Sequence, residues 1–141
     1  MFSLLGEPRF ALGIETIYEG YLLHYGRPRL FSPADADTAL LLGDYLYAHG
    51  LVRVAETGSI GAVHDLAELI SLCAQARAER RDGEGIAWAA TAALLGQGTL
   101  TNARSGLRDR GDVTALTAAA RAASGAEAVE AACCAHDLLV G

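Results

Sequence analysis

Glu15 and Glu19 stand four residues apart near the start of the chain. On a helix that spacing puts both carboxylates on one face, one turn from each other. Their plain reading is the solvated face of an amphipathic helix; oxygen ligands for a hard divalent cation are the sharper one. At the other end, His136 and Asp137 are consecutive, so they diverge around a helix, and they read either as incidental or as further ligands. His24, His49 and His64 have no second His or Cys three or four residues away, which assigns them to surface or capping roles. Cys73 and the adjacent pair Cys133-Cys134 lack a C-x-x-C spacing and read as small buried hydrophobes. Arg77, Arg80 and Arg81 read as a solvated helix end. Arg104, Arg108 and Arg110 offer positive charge for an anion, diluted by Asp109 and Asp112. Gly83-Glu84-Gly85 and Gly96-Gln97-Gly98 follow no strand, so they are loop signals and not phosphate cradles.

The elements that position these residues all read as helices. The first runs over about 9–25, stopped by Gly26-Arg27-Pro28. Ser32-Pro33 looks like an N-cap followed by proline at the first helical position, opening a helix to about Glu56. Its apolar positions Ala39, Leu42, Gly43, Leu46, Gly50 and Val54 recur in steps of three and four. Gly43 and Gly50, a heptad apart, allow another helix to approach closely. Gly58-Ser59 ends that helix and caps the next, whose main face is Ile60, Val63, Ala67, Ile70 and Ala74, widened by Leu66, Leu69, Cys73 and Ala76. Asp82-Gly83-Glu84-Gly85 breaks it. Helices over about 86–95, 112–123 and 126–140 follow, with a short helix plus loop in 99–112. The expectation is one all-α domain over 1–141, a bundle of about six helices with short connections.

Composition narrows the function. The 141 residues are 52% hydrophobic, and the formal charge is −6 with every cation an arginine. An acidic chain has no electrostatic footprint for nucleic acid. Mean hydropathy is +0.24, yet no run approaches the length of a transmembrane segment. The first eight residues lack the basic flank and apolar centre of a signal peptide, which makes the cytoplasm the expected address.

Leu40-Leu41-Leu42-Gly43-Asp44-Tyr45-Leu46-Tyr47-Ala48 resembles the Gly-Asp-aromatic-Leu-x-Ala segment of the trans-prenyl diphosphate synthases, the polyprenyl synthetase family. Gly26-Arg27-Pro28 matches the Gly-x-Pro end of that family's Arg-Arg-Gly-x-Pro motif, at a fitting distance upstream. The likeness covers about residues 10–80 and thins beyond. It implies the core of the isoprenoid synthase fold, in which two Asp-Asp-x-x-Asp motifs hold magnesium against a diphosphate.

Carried over residue by residue, the resemblance implies loss of that chemistry. The first Asp-rich motif falls on Glu15-Thr16-Ile17-Tyr18-Glu19, where Thr16 replaces a central carboxylate. The Arg-Arg pair falls on His24-Tyr25, and the family's Lys-Thr pair on Ala90-Thr91. The second motif resembles His136-Asp137-Leu138-Leu139-Val140, keeping one carboxylate of three. No Asp-Asp pair and no Lys occur anywhere. Family members are also much longer, so a cut-down bundle would leave apolar helix faces for a partner to bury.

The resemblance therefore implies a non-catalytic relative, such as the small accessory subunit of a two-component synthase paired with a large catalytic subunit. The alternative is a homodimeric helical module with a cavity for an apolar ligand. An enzyme of altered chemistry, with magnesium at a remnant site of Glu15, Glu19, Asp137 and His136, is the third reading. In the family, the helix matching residues 33–57 contributes to the dimer interface.

Overall fold

The structure is a computed structural model covering all 141 residues, and it is all-helical with no strand. Two 3-10 turns, Phe2–Leu5 and Pro8–Phe10, precede seven helices: α1 (Ala11–Tyr25), α2 (Ala36–Ala55), α3 (Ile60–Ala78), α4 (Glu84–Ala93), α5 (Thr101–Arg110), α6 (Thr114–Ser124) and α7 (Ala126–Val140). One more helix appears than the sequence suggested, because 101–110 forms a full α5. The bundle expectation holds.

Side-chain caps set the starts of α2 and α3. Ser59 Oγ accepts from the Ala62 amide at 3.1 Å, as the Gly58-Ser59 signal required. The expected start at Ser32-Pro33 is not used. Asp35 caps α2 instead, accepting from the Thr38 amide at 2.7 Å. The reason lies upstream: the amides of Arg29 and Leu30 both donate to the Glu19 carboxylate, which pins residues 27–34 across α1 as an irregular strap. A helix cannot begin until that strap is released.

α1 and α2 form the tightest helix pair, antiparallel along a seam of four glycines. A Cβ on Gly50 would lie 2.4 Å from Ile17 Cγ1 and 3.2 Å from the Gly13 carbonyl; one on Gly20 would lie 2.9 Å from the Gly43 carbonyl. Gly13 and Gly20 on α1 thus meet Gly50 and Gly43 on α2, and the two backbones approach closer than side chains allow. The close approach expected of Gly43 and Gly50 is realised.

The core gathers around Phe2, Tyr18, Tyr21 and Trp88, whose rings pack edge-on and stacked at 5.0–5.8 Å, with Leu66, Leu69 and Leu72 below. α3 differs from its reading. Ile60 is 85% exposed, and Ala67 and Ala74 also face outward. The buried stripe is Ala62, Leu66, Leu69, Leu72, Cys73 and Ala76, together with Asp65. Asp65 fixes that rotation: its Oδ1 lies 3.3 Å from Arg104 Nη1, and its Oδ2 accepts from the Gly96 amide at 2.8 Å. A buried carboxylate must face its donors, and the apolar face follows it.

Candidate functional site

The four residues singled out as a remnant metal site separate into two places. Glu15 and Glu19 lie on one face of α1, as their spacing required, and both face Arg29 of the strap. Glu19 is 1% exposed and accepts three hydrogen bonds, from the Arg29 amide (2.7 Å), the Leu30 amide (2.8 Å) and Arg29 Nε (3.1 Å). Glu15 accepts from Arg29 Nη2 (3.0 Å), the Met1 α-ammonium (2.9 Å) and the Ser3 amide (3.2 Å). Burial alone would raise the Glu15 pKa. Hydrogen bonds from the terminal ammonium, Ser3 and Arg29 outweigh it and hold the carboxyl at about 2. A cation seeking these oxygens must therefore displace Arg29.

His136 and Asp137 diverge on α7. Asp137 is exposed, whereas His136 is buried, with Nδ1 2.8 Å from the Tyr18 hydroxyl. Burial chiefly lowers the His136 pKa to about 4, so the ring is neutral at pH 7. The direction of this bond follows the ring tautomer: with the proton on Nε2 the Tyr18 hydroxyl donates to Nδ1, and with the proton on Nδ1 it accepts. Between the two places stands the Tyr18 ring, with the Arg29 guanidinium over its face at 5.0 Å. No group of three or more His, Cys, Asp or Glu side chains sits together in a metal-holding arrangement.

The other singled-out residues fall as follows. Gly26 ends α1 against α7, with the Arg27 amide donating to the Leu139 carbonyl at 2.8 Å; Pro28 lies in the strap. Gly43 lies in the glycine seam. Asp44, largely exposed, places Oδ1 3.0 Å from His24 Nε2, off the angle of a hydrogen bond. His24 thus finds its partner on another helix and stacks on Tyr47 at 5.1 Å. Thr91 is fully buried with its hydroxyl unpartnered.

Three sequence readings need correction. Cys134 is exposed and Cys133 half-buried, so only Cys73 is a core residue. Arg77 is not a free helix end: Nε lies 2.7 Å from Glu84, Nη2 donates to the Tyr21 hydroxyl at 3.1 Å, and the guanidinium covers the Tyr25 ring. Arg104 is no anion ligand, being buried on Asp65, and Arg108 pairs with Glu68 at 3.2 Å.

The sequence reading missed Arg29. Its only signal was being one of the two cations in the loop directly after the two-glutamate helix. Beside its salt bridges lies a shallow groove of about 370 Å³, walled by Leu12, Leu30, Phe31 and Leu46. Leu12 and Leu30 are largely exposed, and the α2 surface beyond carries Leu41, Tyr45 and Val52, which are 72%, 61% and 55% exposed.

Fold and site together define an all-α bundle whose one carboxylate pair is neutralised internally by an arginine. No helix is long and apolar enough to cross a membrane. No family model, curated protein or solved structure matches the chain.

Proposed function

We propose that this chain is a non-catalytic helical module that acts by association through the outer face of α2. The observation that carries this reading is the stripe Leu41, Tyr45, Ala48 and Val52, which recurs at steps of four and three and faces outward. A solvated helix face has no use for leucine, tyrosine and valine in register. The pairing of Glu15 and Glu19 with Arg29 supports the non-catalytic half, because a metal-dependent diphosphate reaction needs carboxylates free to bind cations.

A second copy is the partner this face fits best. An antiparallel α2–α2 contact centred between Ala48 and His49 sets Tyr45 against the second copy's Val52, and Asp44 against its Arg53. The centre of the face is therefore self-complementary in the Tyr45/Val52 and Asp44/Arg53 pairings, as a two-fold interface requires. The glycine seam with α1 holds α2 rigidly from behind.

Light scattering across 1–100 μM tests this. The expected result is a dimer that Tyr45→Glu/Val52→Glu converts to a monomer with unchanged circular dichroism. A wild-type monomer throughout would end the self-association reading. The accessory-subunit reading, which rests on the Gly43-Asp44 segment of the same helix, would then be tested by co-purification with a full-length prenyl diphosphate synthase. Prenyltransferase activity of the lone chain with magnesium and an allylic diphosphate would overturn the non-catalytic reading itself.

A further inference from the structure

The largest concavity lies elsewhere, at the end of the bundle where the C-terminus of α3, the turn 81–83, the N-terminus of α4 and the last turns of α7 meet. It is a groove of about 620 Å³ with a polar lining. We propose that this groove binds a small oxyanion, a carboxylate or phosphate group, through the α4 N-terminal amides, the Arg80 guanidinium and His136 Nε2.

Three independent features converge there. First, α4 has no side-chain cap. Its N-cap, Gly83, has φ +115°, and the first intrahelical bond is Ala87 to the Gly83 carbonyl at 3.0 Å. The amides of Glu84, Gly85 and Ile86 are left without acceptors, at the positive end of a ten-residue helix. Gly83 cannot carry a side chain, since a Cβ would fall 2.8 Å from Val113 Cγ1.

Second, His136 is only 2% exposed and the surface it keeps opens on this groove. Nδ1 is occupied by Tyr18, while Nε2 has no protein partner. In the tautomer with the proton on Nε2, an otherwise buried imidazole turns its one N–H donor toward the groove, where a ligand oxygen can take the place of solvent. Gly85 lies directly against the ring; a Cβ there would sit 3.1 Å from His136 Cδ2.

Third, the three arginines of the lining differ in what they hold. Arg77 is paired with Glu84, and Arg81 pairs with Glu79 and donates to the Leu107 and Arg108 carbonyls. Arg80 alone makes no side-chain hydrogen bond or ion pair, and its backbone takes the left-handed φ of +54° that few non-glycine residues adopt. Asp82 and Asp137 also line the groove. With Glu84 they balance the three arginines of the lining, so the groove has no excess positive charge for a polyphosphate and suits a single small oxyanion at Arg80.

Amide chemical-shift titration of the full chain with inorganic phosphate, and separately with acetate, tests the assignment at constant ionic strength. The expected result is saturable shifts of the Gly85 and Ile86 amides, with a dissociation constant in the millimolar range or below for at least one probe. Arg80→Asn, which tolerates the left-handed backbone, should weaken binding five-fold or more without loss of fold. Gly85→Ala, which crowds the imidazole, should weaken it as well. Shifts that track salt without saturating, or equal affinity in wild type and both variants, would overturn the proposal.

Discussion

Arg29 and Glu19 are joined twice: the arginine's backbone amide donates to Oε1 at 2.7 Å and its Nε donates to Oε2 at 3.1 Å. One residue thus both anchors the strap and neutralises a buried carboxylate. Arg29→Ala removes the Nε donor and the bridge to Glu15 while leaving the amide. The expected cost is about 1–3 kcal/mol of folding stability, the range for a buried charged acceptor that loses a partner. Glu19→Gln in the same background should restore part of it, because the buried group is then neutral. Urea unfolding of the three variants measures both changes.

The depressed Glu15 pKa makes a specific acid limb. Folded, this carboxyl titrates at about 2, against an ordinary value of 4.5. Because the folded value is the lower, the unfolded chain binds the proton first as pH falls. The stabilisation is therefore complete above pH 4.5 and is lost between 4.5 and 2. With partial exposure of the site, the loss should be on the order of 1–3 kcal/mol. Glu15→Gln should flatten that limb in a pH series of unfolding curves and leave the region above pH 5 unchanged in slope.

How much of this was legible in the sequence depends on whether the information was local. Ser59 as a cap, Gly43 and Gly50 as a close-approach seam, and the 126–140 helix are set by residues within a turn or a heptad of each other. The strap was not legible, because Glu19 overrides the Ser32-Pro33 signal by holding Arg29, ten residues along the chain from it. Nor was the rotation of α3: its hydrophobic residues cover more than one face, and the distant donors to Asp65, the Gly96 amide and Arg104, select which face turns inward. Glu15 and Glu19 were correctly placed on one face. Their role as acceptors for Arg29 depended on where the loop folds back, which periodicity does not encode.

That buried pair invites a direct test. Asp65 and Arg104 are both nearly inaccessible and 3.3 Å apart. Removing one partner strands a buried charge, so Arg104→Met should cost about 3–5 kcal/mol. Replacing both, as Asp65→Leu/Arg104→Met, should recover much of that loss. The recovery should be incomplete, because the Gly96 amide also donates to Asp65 and would lose its acceptor. A double-mutant cycle by chemical denaturation separates these terms.

The glycine seam predicts the opposite of helix propensity. Gly50→Ala would gain about 1 kcal/mol in an exposed helix interior. Here the new Cβ falls 2.4 Å from Ile17 Cγ1, so α1 and α2 must separate or Ile17 must leave its rotamer. Overpacking of this kind costs about 1–3 kcal/mol, and the net effect should be destabilising. Ile17→Ala removes Cγ1 itself, so Gly50→Ala should cost less in the Ile17→Ala background than in wild type. Thermal unfolding of the two single variants and the double variant against wild type checks the order.

His136 controls the window between the Glu15 limb and neutrality. Burial lowers its pKa from 6.5 to about 4. The unfolded chain therefore takes up the proton at higher pH than the folded one, and stability declines as pH falls from 6.5 toward 4. A shift of that size corresponds to on the order of 2–3 kcal/mol. His136→Gln keeps a polar group beside Tyr18 but cannot titrate, so the 4–6.5 slope should vanish while the limb below 4.5 due to Glu15 remains. Phosphate adds a further readout, because an oxyanion on Nε2 favours a protonated ring. Saturating phosphate should raise the folded His136 pKa and shallow the slope in wild type, with no such effect in Arg80→Asn. Imidazole proton resonances followed through the titration report the pKa directly.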